Sequence, residues 1–217
     1  MRSQLHGIPG SGKTVLCSTA ISYVEELCQP GTVRMAYYYF DFSEETKQKL
    51  TALLRSLLFQ LCEKMDTIPE DLSVLYDECD RGRSNPSEQS LAENLFRVLD
   101  SDQQTYVMID GLDECPYGSK NSERRKLNDM VLGQIGQRPG NYNFFITSRK
   151  EHDIEEAMKA LVHRTDLHDI EIQTEDVDSD VCLHINRFMA GHNRISRWSA
   201  SIRREIEDEL VKGSQGM

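Results

Sequence analysis

Positive charge is scarce in this chain of 217 residues: 25 lysines and arginines stand against 36 aspartates and glutamates, a formal net charge of -11. Polynucleotides are bound through basic faces, so this balance excludes nucleic acid as an expected partner. No apolar run approaches the roughly 20 residues that a membrane helix needs, and no membrane partner is expected. The first residues carry no basic segment followed by an apolar one, so a water-soluble, cytoplasmic protein is expected rather than a secreted one. The six cysteines (Cys17, Cys28, Cys62, Cys79, Cys115, Cys182) include no C-x-x-C pair and no Cys/His cluster at zinc spacing. Free thiols in a reducing compartment are expected. Internal repeats and low-complexity tracts are also lacking.

What is present suits a globular chain. Hydrophobic residues make up 38% and charged residues 28%, enough for one large α/β domain, or for one domain plus part of another. Strand-like runs rich in aromatic and β-branched residues lie at Val33 to Phe42, Thr105 to Asp110, Asn143 to Ser148 and Leu167 to Ile172. Between them apolar residues recur at spacings of three and four: Val15, Leu16, Ala20, Ile21 and Val24; Leu50, Leu53, Leu54, Leu57, Leu58 and Leu61; Leu91, Leu95, Val98 and Leu99; Leu127, Met130 and Val131. Each set marks one face of a helix. Strand alternating with helix predicts a parallel sheet covered on both sides. CQPG and QRPGN read as turns.

After about residue 173 the pattern is helical only. Asp178 or Ser179 is the expected N-cap of one helix, and Ile202, Ile206 and Leu210 form a stripe that ends at Gly213. Residues 1–173 are therefore expected to be an α/β core and residues 174–217 the start of a helical accessory domain. A phosphate-loop pattern lies too near the N-terminus to have a full strand before it, and the chain stops just past a helix-like segment. Both ends are expected to be cut from a longer protein.

That pattern is Gly7-Ile8-Pro9-Gly10-Ser11-Gly12-Lys13-Thr14, a complete G-x-x-x-x-G-K-S/T. Its glycines let a loop curl so that backbone N–H groups point inward at phosphate oxygens, and the helix that follows adds its positive end. Lys13 is expected to reach the β- and γ-phosphates and the Thr14 hydroxyl to ligate Mg²⁺. In YVMIDGLDECP an apolar run ends in Asp110, which puts a carboxylate at the C-terminal edge of a buried strand, where open α/β sheets bind ligands. Asp110 is the expected Mg²⁺ partner, and either Asp113 or Glu114 is placed to orient an attacking water. In NFFITSRKEHDI, Thr147, Ser148 and Arg149 leave another strand edge, and Arg149 is a candidate to meet the γ-phosphate. The expected ligand is Mg-ATP, with ADP as product.

GIPGSGKT, MIDGLDECP and FFITSRKEHDIEE, in that order and at these separations, resemble the NACHT group of STAND P-loop NTPases, in particular the nephrocystin-like domains of fungal ankyrin-repeat and incompatibility-type proteins. The likeness continues through VLCSTAI, YYYFDFSEETKQK and LLRSLLFQL, nearly the whole chain. The resemblance implies a P-loop fold with a five-stranded parallel sheet, its Walker B strand separated from the Walker A strand by an inserted strand. It also implies a nucleotide-driven switch that controls self-assembly. The family has a small residue directly after the Mg²⁺-associated aspartate and acids a few positions later. Gly111, Asp113 and Glu114 match, and slow hydrolysis is what that implies.

Other features are read more plainly. DVDSDV begins like a Ca²⁺ loop, but Val181 stands where the turn glycine belongs and Arg187 where the bidentate glutamate belongs. His6, His152, His163, His168, His184 and His192 share no metal spacing and are read as surface or loop residues. SERRKLND reads as a solvated helix face. Two rival functions stay open: a small-molecule phosphotransferase using Arg81 and Arg83 of DRGRS as lid arginines, and a scaffold that binds nucleotide without turnover. A GTPase is disfavoured because no N-K-x-D motif is found.

Overall fold

The computed structural model describes residues 2–27, 33–63, 65, 67–118, 122–135, 140–162, 167–192, 194–195 and 198–214. Its strands are β1 (Arg2–His6), β2 (Val33–Tyr39), β3 (Gln104–Asp110), β4 (Tyr142–Ser148) and β5 (Leu167–Glu171). Its helices are α1 (Lys13–Leu27), α2 (Leu50–Glu63), α3 (Glu70–Glu78), α4 (Glu88–Leu99), α5 (Glu123–Leu127), α6 (Gly133–Ile135), α7 (His152–Val162), α8 (Thr174–Gly191) and α9 (Ala200–Ser214), with a π turn at Asn128–Leu132 joining α5 to α6. The strands form one sheet in the order β2-β3-β4-β1-β5, and β2/β3, β3/β4 and β4/β1 all pair parallel. β4 stands between β1 and β3, so the inserted strand is where the resemblance implies it. The stub ahead of the phosphate loop is a working strand: all five residues of β1 pair with β4, from Arg2 opposite Phe144 to His6 opposite Ser148.

Two compact units share the chain: Met1–His6 with Lys13–Ile170, and Gly7–Gly12 with Glu171–Met217. In the first, the pleat of β3 decides the layering. Val107 and Ile109 turn into a core built by the leucines of α2 and α4 with Leu127, Ile154 and Met158, while Met108 joins Met35 and α1 on the opposite face. Six leucines of α2 are buried on the stripe that their spacing marks. The α1 stripe differs from the expectation. Cys17, Ile21 and Val24 are buried, whereas Val15 is 68% and Leu16 47% exposed. A helix turns about 100° per residue, so a face fixed by positions 17, 21 and 24 carries 15 and 16 round towards solvent.

In the second unit α8 and α9 are neighbours; Ile185 and Met189 of α8 are buried, and the Asn186 side-chain amide donates to Glu207 at 2.7 Å. Helix α8 starts at Thr174, with Gln173 flanking it, so Asp178 and Ser179 lie inside the helix and do not cap it. The Ser179 hydroxyl instead bonds back to the Glu175 carbonyl at 2.8 Å, an alternative open to serine within helices. Helix α9 continues past Gly213. The periodicities above do not include α3 and α7, although Ile154, Ala157 and Met158 of α7 recur at spacings of three and one on one face and pack on the core.

The described cysteines are free thiols. Cys28, His163, the CQPG turn and most of QRPGN lie outside the described residues. Among the described residues no helix is long and apolar enough to cross a membrane.

Candidate functional site

The loop Gly7–Gly12 uses its glycines for separate reasons. Gly10 and Gly12 have φ of +75° and +83°, the left-handed region that glycine enters at no steric cost. No atom lies within 4 Å of where a Cβ on either would stand, so the loop backbone is open on that side. Gly7 is crowded instead: a Cβ there would meet Ser11 Oγ at 2.9 Å and Ile172 Cβ at 3.1 Å. The Ser11 amide closes the turn on the Ile8 carbonyl at 3.3 Å, with Pro9 inside it. An open backbone of this shape fits phosphate oxygens.

The remaining candidates lie in the first unit. Asp110 ends β3 and is 4% exposed. Its Oδ2 accepts the Thr14 hydroxyl at 2.8 Å and its Oδ1 accepts the Thr147 hydroxyl at 2.5 Å. Thr147 in turn accepts the Gly111 amide at 3.0 Å, so the carboxylate is oriented from α1 and from β4 at once. Cys17 lies against Asp110. Its thiol is pushed up to about 12, first by burial and then by the Asp110 charge and hydrogen bond. Lys13, the first residue of α1, is held below its ordinary value by partial burial, with Arg149 acting the same way and Asp113 and Asp110 opposing. A hydroxyl beside a hard carboxylate is a donor set that fits Mg²⁺.

After Asp110 the chain turns at Gly111, which sits at φ 71°, ψ 40°, and enters a 3₁₀ turn, Leu112–Glu114, closed by the Glu114 amide on the Gly111 carbonyl at 2.8 Å. Buried Leu112 and Cys115 anchor it. The two acids it carries have different partners. Asp113 accepts the Arg149 backbone amide at 2.8 Å through Oδ1 and pairs with Arg149 Nε at 2.9 Å through Oδ2. Glu114 Oε2 accepts the amide of Phe42, just past β2, at 3.0 Å. Burial raises the Glu114 carboxyl above the ordinary glutamate value; the Phe42 amide opposes this, and Asp113, Asp41 and Asp110 add to it. The structure thus brings Lys13, Thr14, Asp110, Asp113, Glu114 and Arg149 into one electrostatic neighbourhood.

Gly111 has a conformational duty. A Cβ would meet Glu114 side-chain atoms no closer than 3.5 Å, ordinary contact, so space is not the obstacle. The left-handed backbone is. Gly111→Ala is expected to lower the unfolding free energy by about 1–2 kcal/mol, measured by urea denaturation.

Two readings need correction. SERRKLND is not a solvated face: the Ser122 hydroxyl caps α5, and Arg124 and Leu127 are buried. Arg124 is 3% exposed. Its Nε donates to the Cys115 carbonyl at 2.8 Å, its Nη2 to the Asp113 carbonyl, and its Nη1 meets Glu151 and, at 3.3 Å, Asp153. A signal was available, because Arg124 shares the three-and-four spacing of Leu127 and Val131. His6 is not a surface residue either. It is buried in β1, with Nε2 3.1 Å from Asp169 of β5. Arg81 and Arg83 make surface pairs with Asp77 and Asp80, each at 3.6 Å, and are well exposed.

The family model described as nephrocystin 3, N-terminal, matches residues 3–149. Among solved structures the chain is similar to the ORC2 protein of Aeropyrum pernix, in ADPNP–ADP complexes, at 13% identity and a TM-score of 0.49, covering 95% of this chain and 49% of that one. It is also similar to Cdc6p of Pyrobaculum aerophilum, at 13% identity and a TM-score of 0.45, over 84% of this chain and 42% of that one. The chain spans less than half of either structure. No curated protein matches it.

Proposed function

Because the chain belongs to the nephrocystin 3 N-terminal family, we propose that it binds Mg-ATP and Mg-ADP and hydrolyses ATP slowly, as the nucleotide domain of a cytoplasmic STAND-type switch whose bound nucleotide governs self-assembly. Residues 1–173 are its NACHT core, and residues 174–217 open its helical accessory domain. The observation that carries this reading is the Asp110 carboxylate, fixed between the Thr14 and Thr147 hydroxyls at 2.8 and 2.5 Å at the strand edge.

In this reading the backbone of Gly7–Gly12 and the Lys13 ammonium bind the phosphates, and Thr14 with Asp110 holds Mg²⁺. The chemistry the ion supplies when bound is neutralisation of charge on phosphate oxygens. Thr147 keeps Asp110 in orientation. Asp113 engages Nε of Arg149, which leaves the Nη end of the same guanidinium for the γ-phosphate. Glu114 is the residue assigned to orient the attacking water. Its carboxylate is held at Oε2 by one backbone amide, whereas both oxygens of Asp113 engage Arg149. Charge contacts that ATP makes and ADP cannot then favour one arrangement of the switch over the other. A phosphotransferase would instead pass the phosphoryl group to an acceptor other than water, which separates the two readings.

Thermal unfolding with and without nucleotide tests the binding. A ligand held only by the native state at a hundredfold excess over Kd stabilises by roughly 2.7 kcal/mol. A rise in Tm with either Mg-nucleotide is the expected result; no shift at millimolar concentration would remove the proposal.

A further inference from the structure

Arg124 lies outside every motif of the nucleotide site, yet four of its contacts end on the two segments that carry Asp113, Glu114 and Arg149. We propose that Arg124 is a positioning residue for hydrolysis, pinning the turn Leu112–Glu114 to the segment after β4 so that Glu114 and Arg149 keep a fixed spacing. This rests on the reading of Glu114 as the residue that orients water.

Arg124 is itself held from behind. Helix α5 is capped by Ser122, its Glu123 accepts the Leu50 amide at the start of α2 at 2.7 Å, and Lys126 reaches Glu88 of α4 at 3.0 Å. From that anchored helix the guanidinium forks forward. Nε and Nη2 take the Cys115 and Asp113 carbonyls, on either side of Glu114, and Nη1 takes Glu151 and Asp153, just beyond Arg149. The Asp113 side chain then closes a ring by engaging Arg149 at 2.8 and 2.9 Å. The Tyr117 ring covers the guanidinium at 5.5 Å.

Stability alone is a weak reason for such a group. A buried ion pair is often no more stabilising than apolar residues of the same volume, because desolvation offsets the attraction. What an arginine supplies that apolar packing cannot is a planar fork of donors with fixed directions. Here the fork's four acceptors come from two segments, the turn after β3 and the stretch from β4 into the first turn of α7, that meet at the end of the sheet. A displacement of about 1 Å at such a place can cost roughly a hundredfold in rate, which gives the geometry a consequence that the fold itself does not feel.

The test uses Arg124→Lys in the full chain, since lysine keeps one ion pair but cannot fork to both carbonyls. We expect kcat to fall by roughly 10- to 100-fold with a far smaller change in Mg-ATP affinity, and no further fall in kcat when Arg124→Lys is added to Glu114→Gln. Amide exchange is expected to quicken together in residues 112–115 and 149–153. An unchanged kcat, or losses that multiply fully in the double variant, would overturn the inference. If even the unaltered chain shows no turnover, the catalytic reading falls, and exchange alone decides the pin: protection lost in both segments supports it, and protection kept in either removes it. Should Arg124→Lys fail to fold, Glu151→Gln weakens the partly exposed arm of the same clamp, with the same expected signs.

Discussion

Replacing Lys13 with alanine raises the Kd for Mg-ATP by roughly a hundredfold or more and leaves thermal unfolding without nucleotide unimpaired. Lys13 begins α1, where the positive helix end and the ammonium act on the same anion. Charge-assisted hydrogen bonds are worth about 1.5–3 kcal/mol each, and a lysine that meets two phosphates makes more than one. The fold does not depend on that charge. Burial disfavours the protonated form, which lowers the Lys13 pKa, so the native state gains stability as pH rises from the lowered value towards 10.5, where the unfolded chain still holds the proton. Nucleotide affinity moves the other way. It is lost over the same rise, because the ammonium is what binds. Calorimetry at neutral and alkaline pH separates the two, and an unchanged Kd in a folded Lys13→Ala protein would exclude Lys13 from the site.

Turnover is the quantity most sensitive to Glu114. Glu114→Gln keeps the shape of the side chain but removes its ability to take a proton, and general-base catalysis contributes typically 10²–10⁴-fold. Single-turnover hydrolysis is therefore expected to slow by roughly 10²- to 10³-fold, with little change in affinity. Asp113→Asn acts differently: it loosens Arg149, so its expected mark is poorer discrimination of ATP from ADP. The raised Glu114 pKa adds a pH signature. A base must be deprotonated to act, so turnover is expected to fall on acidification with a midpoint above the ordinary glutamate value of 4.5. The same shift lowers native stability as pH rises from 4.5 through the raised value, since the folded state holds that proton longer. Full activity in Glu114→Gln would end the assignment.

Much of this was legible in the residues. The strand runs, the leucine stripes of α2 and α4 and the place of Asp110 follow from local patterns, because a pleat of period two and a helix of period three to four leave their marks in any window of a dozen residues. The order β2-β3-β4-β1-β5 is not a local property; the resemblance implies only five parallel strands with one inserted between β1 and β3, and the places of β2 and β5 come from the structure. Errors arose where a residue's fate depends on distant ones. Val15 and Leu16 fit an apolar stripe, but the strands behind α1 select Cys17, Ile21 and Val24. Arg124 reads as surface charge because its acceptors, Asp113, Cys115, Glu151 and Asp153, come from two segments distant in sequence. His6 looked unattached because Asp169 lies across the sheet in sequence terms, though next door in space.

Gly111 puts a cost on a route that protein engineers would try first. On the reading proposed above, the direct edit towards faster turnover is a glutamate in place of Gly111, immediately after Asp110. At φ 71°, ψ 40° that edit strains the backbone before it delivers any carboxylate, and the space into which its side chain would grow borders Glu114. A variant of this kind therefore carries that strain, or else redraws the bend from Gly111 to Cys115 that Arg124 helps to hold. On that reading it is the main chain's own path at Gly111, and not a want of space for a side chain, that stands against the edit.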